Sequence, residues 1–142
     1  MYRLILITAS IVLLFSCKES VQVEDPYEWV PLTVTATAYN SVPEQTSYEH
    51  PEITAWGDSI TPGVKWIAVS RDLLKKGLSY NTLVKIDTFK GVYLVKDKMH
   101  PRWRNRIDIY MGTNVRKARE WGRRKVKIKY GIKKDTVNKG EE

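Results

Sequence analysis

Apolar residues recur at every second position over most of this chain, the spacing of strands half buried against a core. From Leu32 to Tyr39, Val34, Ala36 and Ala38 alternate with Thr33, Thr35, Thr37 and Tyr39, giving one apolar and one hydroxyl-bearing face. Ile107, Ile109 and Met111 alternate with Arg106, Asp108 and Tyr110, so a strand there holds Asp108 out of the core. Val126, Ile128 and Tyr130 alternate with Lys125, Lys127 and Lys129 in the same way. Trp66 to Ser70 is a further strand, and Leu83 to Thr88 with Val92 to Lys96 forms a hairpin closed near Lys90-Gly91. Ile53 to Trp56 reads as a short extended piece after a polar loop over residues 40–51. Thr61-Pro62-Gly63 has the proline and glycine of a type II turn. Arg71 to Gly77 reads as a short helical turn stopped by glycine. Thr113 or Asn114 can cap a helix with Val115, Ala118 and Trp121 on one side and Gly122 at its end. Six or seven strands with one or two short helices, and no internal repeat, predict a mainly β, small closed barrel, since closure removes exposed edges.

The apolar run from Leu4 to Phe15 belongs to a different pattern. It follows a positive start at Met1-Tyr2-Arg3, is too short to span a bilayer comfortably and ends at Ser16-Cys17, as signal peptides do. Residues 1–16 resemble the signal of bacterial lipoproteins. That resemblance implies cleavage before Cys17 and lipid attachment to its sulfur. Cys17 is the sole cysteine, so no disulfide forms within the chain and lipidation explains the odd thiol. Residues 17–31 are acidic, contain Pro26 and Pro31 and read as a tether. The folded domain is then expected over 32–132, with a polar tail at 133–142.

Charge is divided unevenly. Residues 18–60 carry eight acids against Lys18 alone, whereas residues 90–134 carry sixteen Lys and Arg against Asp97, Asp108 and Glu120. Such a field favours anionic partners. Export argues against nucleic acid and leaves phospholipid head groups, lipopolysaccharide and cell-wall carboxylates. Arg102, Trp103, Arg104 and Arg106 place cations beside an indole, a combination suited to sugar stacking and carboxylate pairing together. Asp72, Asp97 and Asp108 are the candidate carboxylates, and clustered carboxylates are the usual equipment for breaking sugar linkages. Asp97 and Asp72 also fit capping roles at a strand end and a helical turn. His50 and His100 lack the spacing of metal ligands, so neither a metal nor another cofactor is expected. No nucleophile elbow or phosphate-binding glycine loop is present.

Taken in order, Val34-Thr35-Ala36-Thr37-Ala38-Tyr39, Ile53-Thr54-Ala55-Trp56-Gly57, Ile67-Ala68-Val69-Ser70-Arg71-Asp72, Val95-Lys96-Asp97, Arg106-Ile107-Asp108-Ile109-Tyr110 and Ala118-Arg119-Glu120-Trp121-Gly122 resemble the 3D (Asp-Asp-Asp) domain family. Its members are minimal relatives of membrane-bound lytic transglycosylase A, and the matching pieces span about residues 32–132. The resemblance implies a six-stranded double-psi β-barrel. It also implies a lytic transglycosylase, which cleaves the bond between N-acetylmuramic acid and N-acetylglucosamine and leaves a 1,6-anhydro end. Better-known members have a glycine-rich stretch after the second aspartate, where this chain has Lys98-Met99-His100-Pro101-Arg102-Trp103-Arg104-Asn105.

On that resemblance Asp108 is the catalytic acid and base, with Asp97 and Asp72 as its companions. Thr37, Tyr39, Trp56, Trp103, Arg106 and Tyr110 are expected to bind substrate, with Arg106 facing substrate carboxylates, while Trp66 and Trp121 read as core. The expected partners are peptidoglycan glycan strands and, through a lipid anchor at Cys17, a membrane of the bacterial cell envelope; the chain is expected to be monomeric. Two alternatives stay open at this stage: a non-catalytic peptidoglycan-binding lipoprotein, and a glycoside hydrolase using Asp97 and Asp108 as acid and base.

Overall fold

The computed structural model describes residues 24–42 and 49–135. The leader, Cys17, residues 18–23 of the expected tether and most of the polar tail lie outside these residues. Six strands, β1 (Tyr27–Tyr39), β2 (Trp66–Val69), β3 (Leu83–Ile86), β4 (Val92–Lys98), β5 (Arg106–Tyr110) and β6 (Arg124–Lys133), are joined by two short helices, α1 (Arg71–Leu74) and α2 (Val115–Trp121). The strands close into a ring in the order β1-β5-β2-β4-β3-β6. The neighbours β1–β5 and β2–β4 run parallel and the other four pairs antiparallel. This is the expected six-stranded double-psi barrel.

The alternation read from the sequence fills the barrel. Val34 and Ala36 of β1, Ile67 and Val69 of β2, Val84 and Ile86 of β3, Val95 of β4, Ile107 and Ile109 of β5, and Val126 and Ile128 of β6 point inward and are almost wholly buried. Full burial of each large aliphatic side chain contributes about 1.5–3 kcal/mol, so this layer is the main source of cohesion. Asn114 caps α2 by accepting a hydrogen bond from the Lys117 N–H at 3.1 Å, and Gly122 ends it with φ 66°. Gly63 has the positive φ that the expected type II turn requires, 88°. A second apolar cluster, Tyr39, Ile60, Ala68, Met99 and Tyr110, sits outside the barrel wall.

Three features differ from the sequence reading. First, β1 begins at Tyr27, so the stretch 27–31 expected to be tether is strand, paired with Lys129 to Lys133 of β6. Because β5 pairs only with β1 from Thr35 onward, this half of β1 has an open side, where Pro31 can sit without removing a ladder bond. Second, Ile53 to Trp56 is not a strand: Ile53 makes one isolated bridge to Ser59 within a loop. Third, β4 is bulged. Its pairing with β2 steps from Ile67–Val95 to Ala68–Asp97, leaving Lys96 as the extra residue.

Candidate active site

The register lines up four residues across four adjacent strands. Thr37 of β1 lies beside Asp108 of β5, Asp108 beside Ala68 of β2, and Ala68 beside Asp97 of β4. Ala36, Ile67, Val69, Ile107 and Ile109 fill the core, so the alternating positions Thr37, Ala68 and Asp108 face outward. Neighbouring strands lie about 4.8 Å apart, which sets the two aspartate backbones roughly 10 Å apart with only the Ala68 methyl between them. A larger residue at 68 would fill that slot. The β4 bulge completes the row: strict alternation would put Asp97 on the same inward face as Tyr93 and Val95, and the extra residue turns it outward.

The two carboxyl groups are held differently. Burial is the largest influence on Asp108 and raises its pKa to about 6, with the charge of Asp97 adding to the rise; the Thr37 hydroxyl and the Arg106 charge oppose it. Its Oδ1 is buried without a hydrogen-bond partner among the described residues. Asp97 is also raised by burial, but its Oδ1 accepts from the backbone N–H groups of Ala55 (2.8 Å) and Lys98 (2.7 Å), which favour its ionised form. The two carboxyl groups thus differ in how firmly the surrounding donors favour the ionised form, Asp97 being the better supplied. Tyr39, tilted against Tyr110 with centroids 5.5 Å apart, has a buried hydroxyl without a partner among the described residues. Burial and the nearby charges of Asp97 and Asp108 push its pKa far up, so it remains an O–H donor beside the carboxyl pair.

These groups line a cleft of about 360 Å³, together with Ile53, Ala55, Lys98, Met99, His100 and Trp103. Its size suits one or two sugar rings. One wall is the 98–105 segment. The guanidinium groups of Arg106 and Arg102 lie over the Trp103 ring, 3.9 and 4.6 Å from its centroid, and fix the indole. His100 Nδ1 accepts from the Arg102 N–H at 3.2 Å, leaving Nε2 as the proton-bearing nitrogen of the neutral ring. The segment ends at Asn105, whose φ of 46° is unusual for a non-glycine residue. Three hydrogen bonds hold it there: its N–H to Asp72 Oδ2 (2.9 Å), its side-chain amide to the Thr33 carbonyl (3.1 Å), and its carbonyl from the Thr35 N–H (3.0 Å).

The structure thus brings Asp108, Asp97, Tyr39 and Trp103 together, with Thr37 beside Asp108, and separates the rest. Asp72 is not part of the cleft. It lines a different depression with Arg71, Lys75, Pro101 and Arg104, and its carboxylate braces Asn105. Burial opposes its ionisation, but hydrogen bonds from the Ser70 hydroxyl and the Asn105 N–H outweigh it and keep the pKa low, unsuited to proton transfer. Trp56 does not line the cleft; its ring is 5.3 Å from that of Tyr80 and packs on the main core. Tyr110 is buried behind Tyr39 and hydrogen-bonded with Ser41 at 3.0 Å. Arg106 stacks on Trp103 and forms no ion pair with Asp108. Trp66 and Trp121 pack on the two apolar clusters, as expected of core residues.

Sequence reasoning passed over Ala68, Lys98 and His100 in the cleft, and Ser70, a fully buried hydroxyl that accepts from the Arg106 N–H at 3.0 Å. Ala68 left one signal: a methyl-sized residue between Ile67 and Val69, where a strand-forming run would otherwise be bulky.

No protein-family model and no curated protein matches the chain. Among solved structures, an expansin of Clavibacter michiganensis in its apo form is 17% identical over 76% of this chain and 52% of its own, with a TM-score of 0.44. A mutant of a Clavibacter michiganensis expansin in complex with cellohexaose is 13% identical over 73% and 51%, with a TM-score of 0.43. The chain therefore spans about half the length of these structures. At such values the likeness carries no information on ligand or activity.

Proposed function

We propose that this chain is an exported, lipid-anchored lytic transglycosylase acting on the glycan strands of peptidoglycan, with Asp108 as the single acid and base. The observation that carries the reading is the isolated carboxyl of Asp108, raised to about 6 by burial and facing Asp97 across the Ala68 slot. A protonated Asp108 gives its proton to the glycosidic oxygen as the bond to the muramic acid anomeric carbon breaks. The resulting carboxylate takes the proton of the muramic acid 6-hydroxyl as that oxygen attacks the same carbon, closing the 1,6-anhydro ring. No water is consumed, and Asp108 returns to its starting form. Asp97 contributes a fixed negative charge that stabilises the developing oxocarbenium ion, Tyr39 donates a hydrogen bond, and Trp103, held by Arg102 and Arg106, forms a wall of the cleft.

Digestion of purified peptidoglycan by the wild type and by Asp108→Asn, with mass spectrometry of the released fragments, tests this. Anhydro products, one water lighter than hydrolytic ones and absent with the variant, are expected. Hydrolytic products would identify a two-carboxylate glycosidase using Asp97 and Asp108. No products, with equal sedimentation of both proteins on sacculi, would identify a wall-binding module.

A further inference from the structure

A closed ring of six strands places each strand opposite the one three positions away. In the order β1-β5-β2-β4-β3-β6, β3 lies opposite β5 and β6 opposite β2. The cleft is centred on β5 and β2, so the outer face of β3 and β6 is the back of the molecule, and it is strongly basic. Lys125, Lys127 and Lys129 project from β6 at every second residue and are exposed. They form a ladder with steps of about 7 Å. Lys85 of β3 pairs in register with Lys129 and widens the ladder to two strands. None of these four lysines is in an ion pair among the described residues. Two acids border this face: Asp87, whose Oδ2 accepts from the Lys127 N–H at 3.4 Å, and Asp25, which accepts from the Trp29 indole N–H at 2.6 Å and the Tyr27 N–H at 3.0 Å.

Two further observations give the face a specific character. A depression of about 800 Å³ lies within it, lined by Lys85, Lys127 and Lys129, with Asp87 as the acid among them, over Pro31 and Leu32. It is large enough to receive a phosphate-bearing head group between the ammonium groups. At one end of the face stand two aromatic side chains, Tyr27 and Trp29, the latter with the Lys85 ammonium 3.5 Å from its ring centroid. Trp and Tyr among lysines are the residues that settle at a membrane–water interface.

We propose that this face docks on an anionic phospholipid surface. A linear polyanion would need only one row of cations; the two-strand breadth, the head-group-sized depression and the aromatic end fit a lipid surface better. Docking by the back of the ring points the Asp97–Asp108 cleft directly away from the bilayer. Such docking holds whether or not the cleft is catalytic.

Lysine footprinting of the full chain tests it. Acetylation rates are read by mass spectrometry on vesicles of phosphatidylcholine with phosphatidylglycerol, and on vesicles of phosphatidylcholine alone. Rates at Lys85, Lys127 and Lys129 should fall at least about five-fold on the anionic vesicles only, while Lys75 and Lys76 beyond α1 stay unchanged, and about 0.5 M salt should restore them. The combined variant Lys85→Glu, Lys127→Glu, Lys129→Glu, checked for an unchanged melting curve, should lose the added affinity for anionic vesicles. Equal protection on both lipids, or no protection, overturns the proposal. Stronger protection by a soluble poly(glycerol phosphate) or nucleic acid than by vesicles also overturns it, in favour of a polymer site.

Discussion

Asp108 carries a stability cost with a definite sign. Its pKa is raised to about 6, so the native state holds the proton more tightly than the unfolded chain does. The stability linked to that proton is complete below about pH 4 and is lost as pH rises through about 6, leaving a penalty of about 2–3 kcal/mol at neutral pH. Asp97, also raised by burial, adds in the same direction. Asp108→Asn should therefore melt at a higher temperature than wild type at pH 8, with the difference shrinking towards pH 4; scans across that range check it. If Asp108 must start protonated, glycan cleavage falls about ten-fold per pH unit above about 6. Ala68→Leu should abolish sugar binding by filling the slot between the carboxylates, at a stability cost of about 1–3 kcal/mol for overpacking, measured by sacculus sedimentation beside urea unfolding. Single residues of this kind are only partly legible in sequence. Asp108 could be read because its neighbours alternate cleanly. Asp72 stands in an equally suggestive context, and only the fold reveals that its carboxylate is spent on the Asn105 N–H.

Among the elements, the strongest departures come where the period of two breaks. All six strands and the cap of α2 are legible in the sequence, but the bulge at Lys96 leaves no mark in the residue pattern, since a bulge is set by what the neighbouring strand requires. It nevertheless decides which way Asp97 faces. The 98–105 segment is likewise shaped from outside itself, through Asp72, Thr33 and Thr35. Asp72→Ala should cost about 1–3 kcal/mol by leaving a backbone donor unpaired. It should also weaken glycan binding by loosening the Trp103 wall while leaving the pH midpoint of activity at the wild-type value, a combination that a role in proton transfer does not produce. Unfolding in urea and a pH–rate profile measure the two effects.

For the whole molecule, the sequence shows the ring and its chemistry better than its edges. Prolines and acids at 24–31 look like tether, yet β1 needs a partner along the full length of β6, and that long-range demand overrides local composition. A chain trimmed to start at Leu32 loses the five pairs from Tyr27–Lys133 to Pro31–Lys129. Its urea midpoint should fall well below that of a chain starting at Glu24, where Lys134 also reaches Glu24 at 2.7 Å.

The order of the ring also fixes an order in time. Residue 37 meets residue 108, and residue 27 meets residue 133, so the first strand to be made waits for the last two before either of its sides is paired. Chains with such distant pairings fold slowly, over milliseconds to seconds, because loop closure must precede any reward from contact. Tyr39 and Ala68 are made well before Asp97 and Asp108, so the cleft exists only once β5 has taken its place beside β1 and β2.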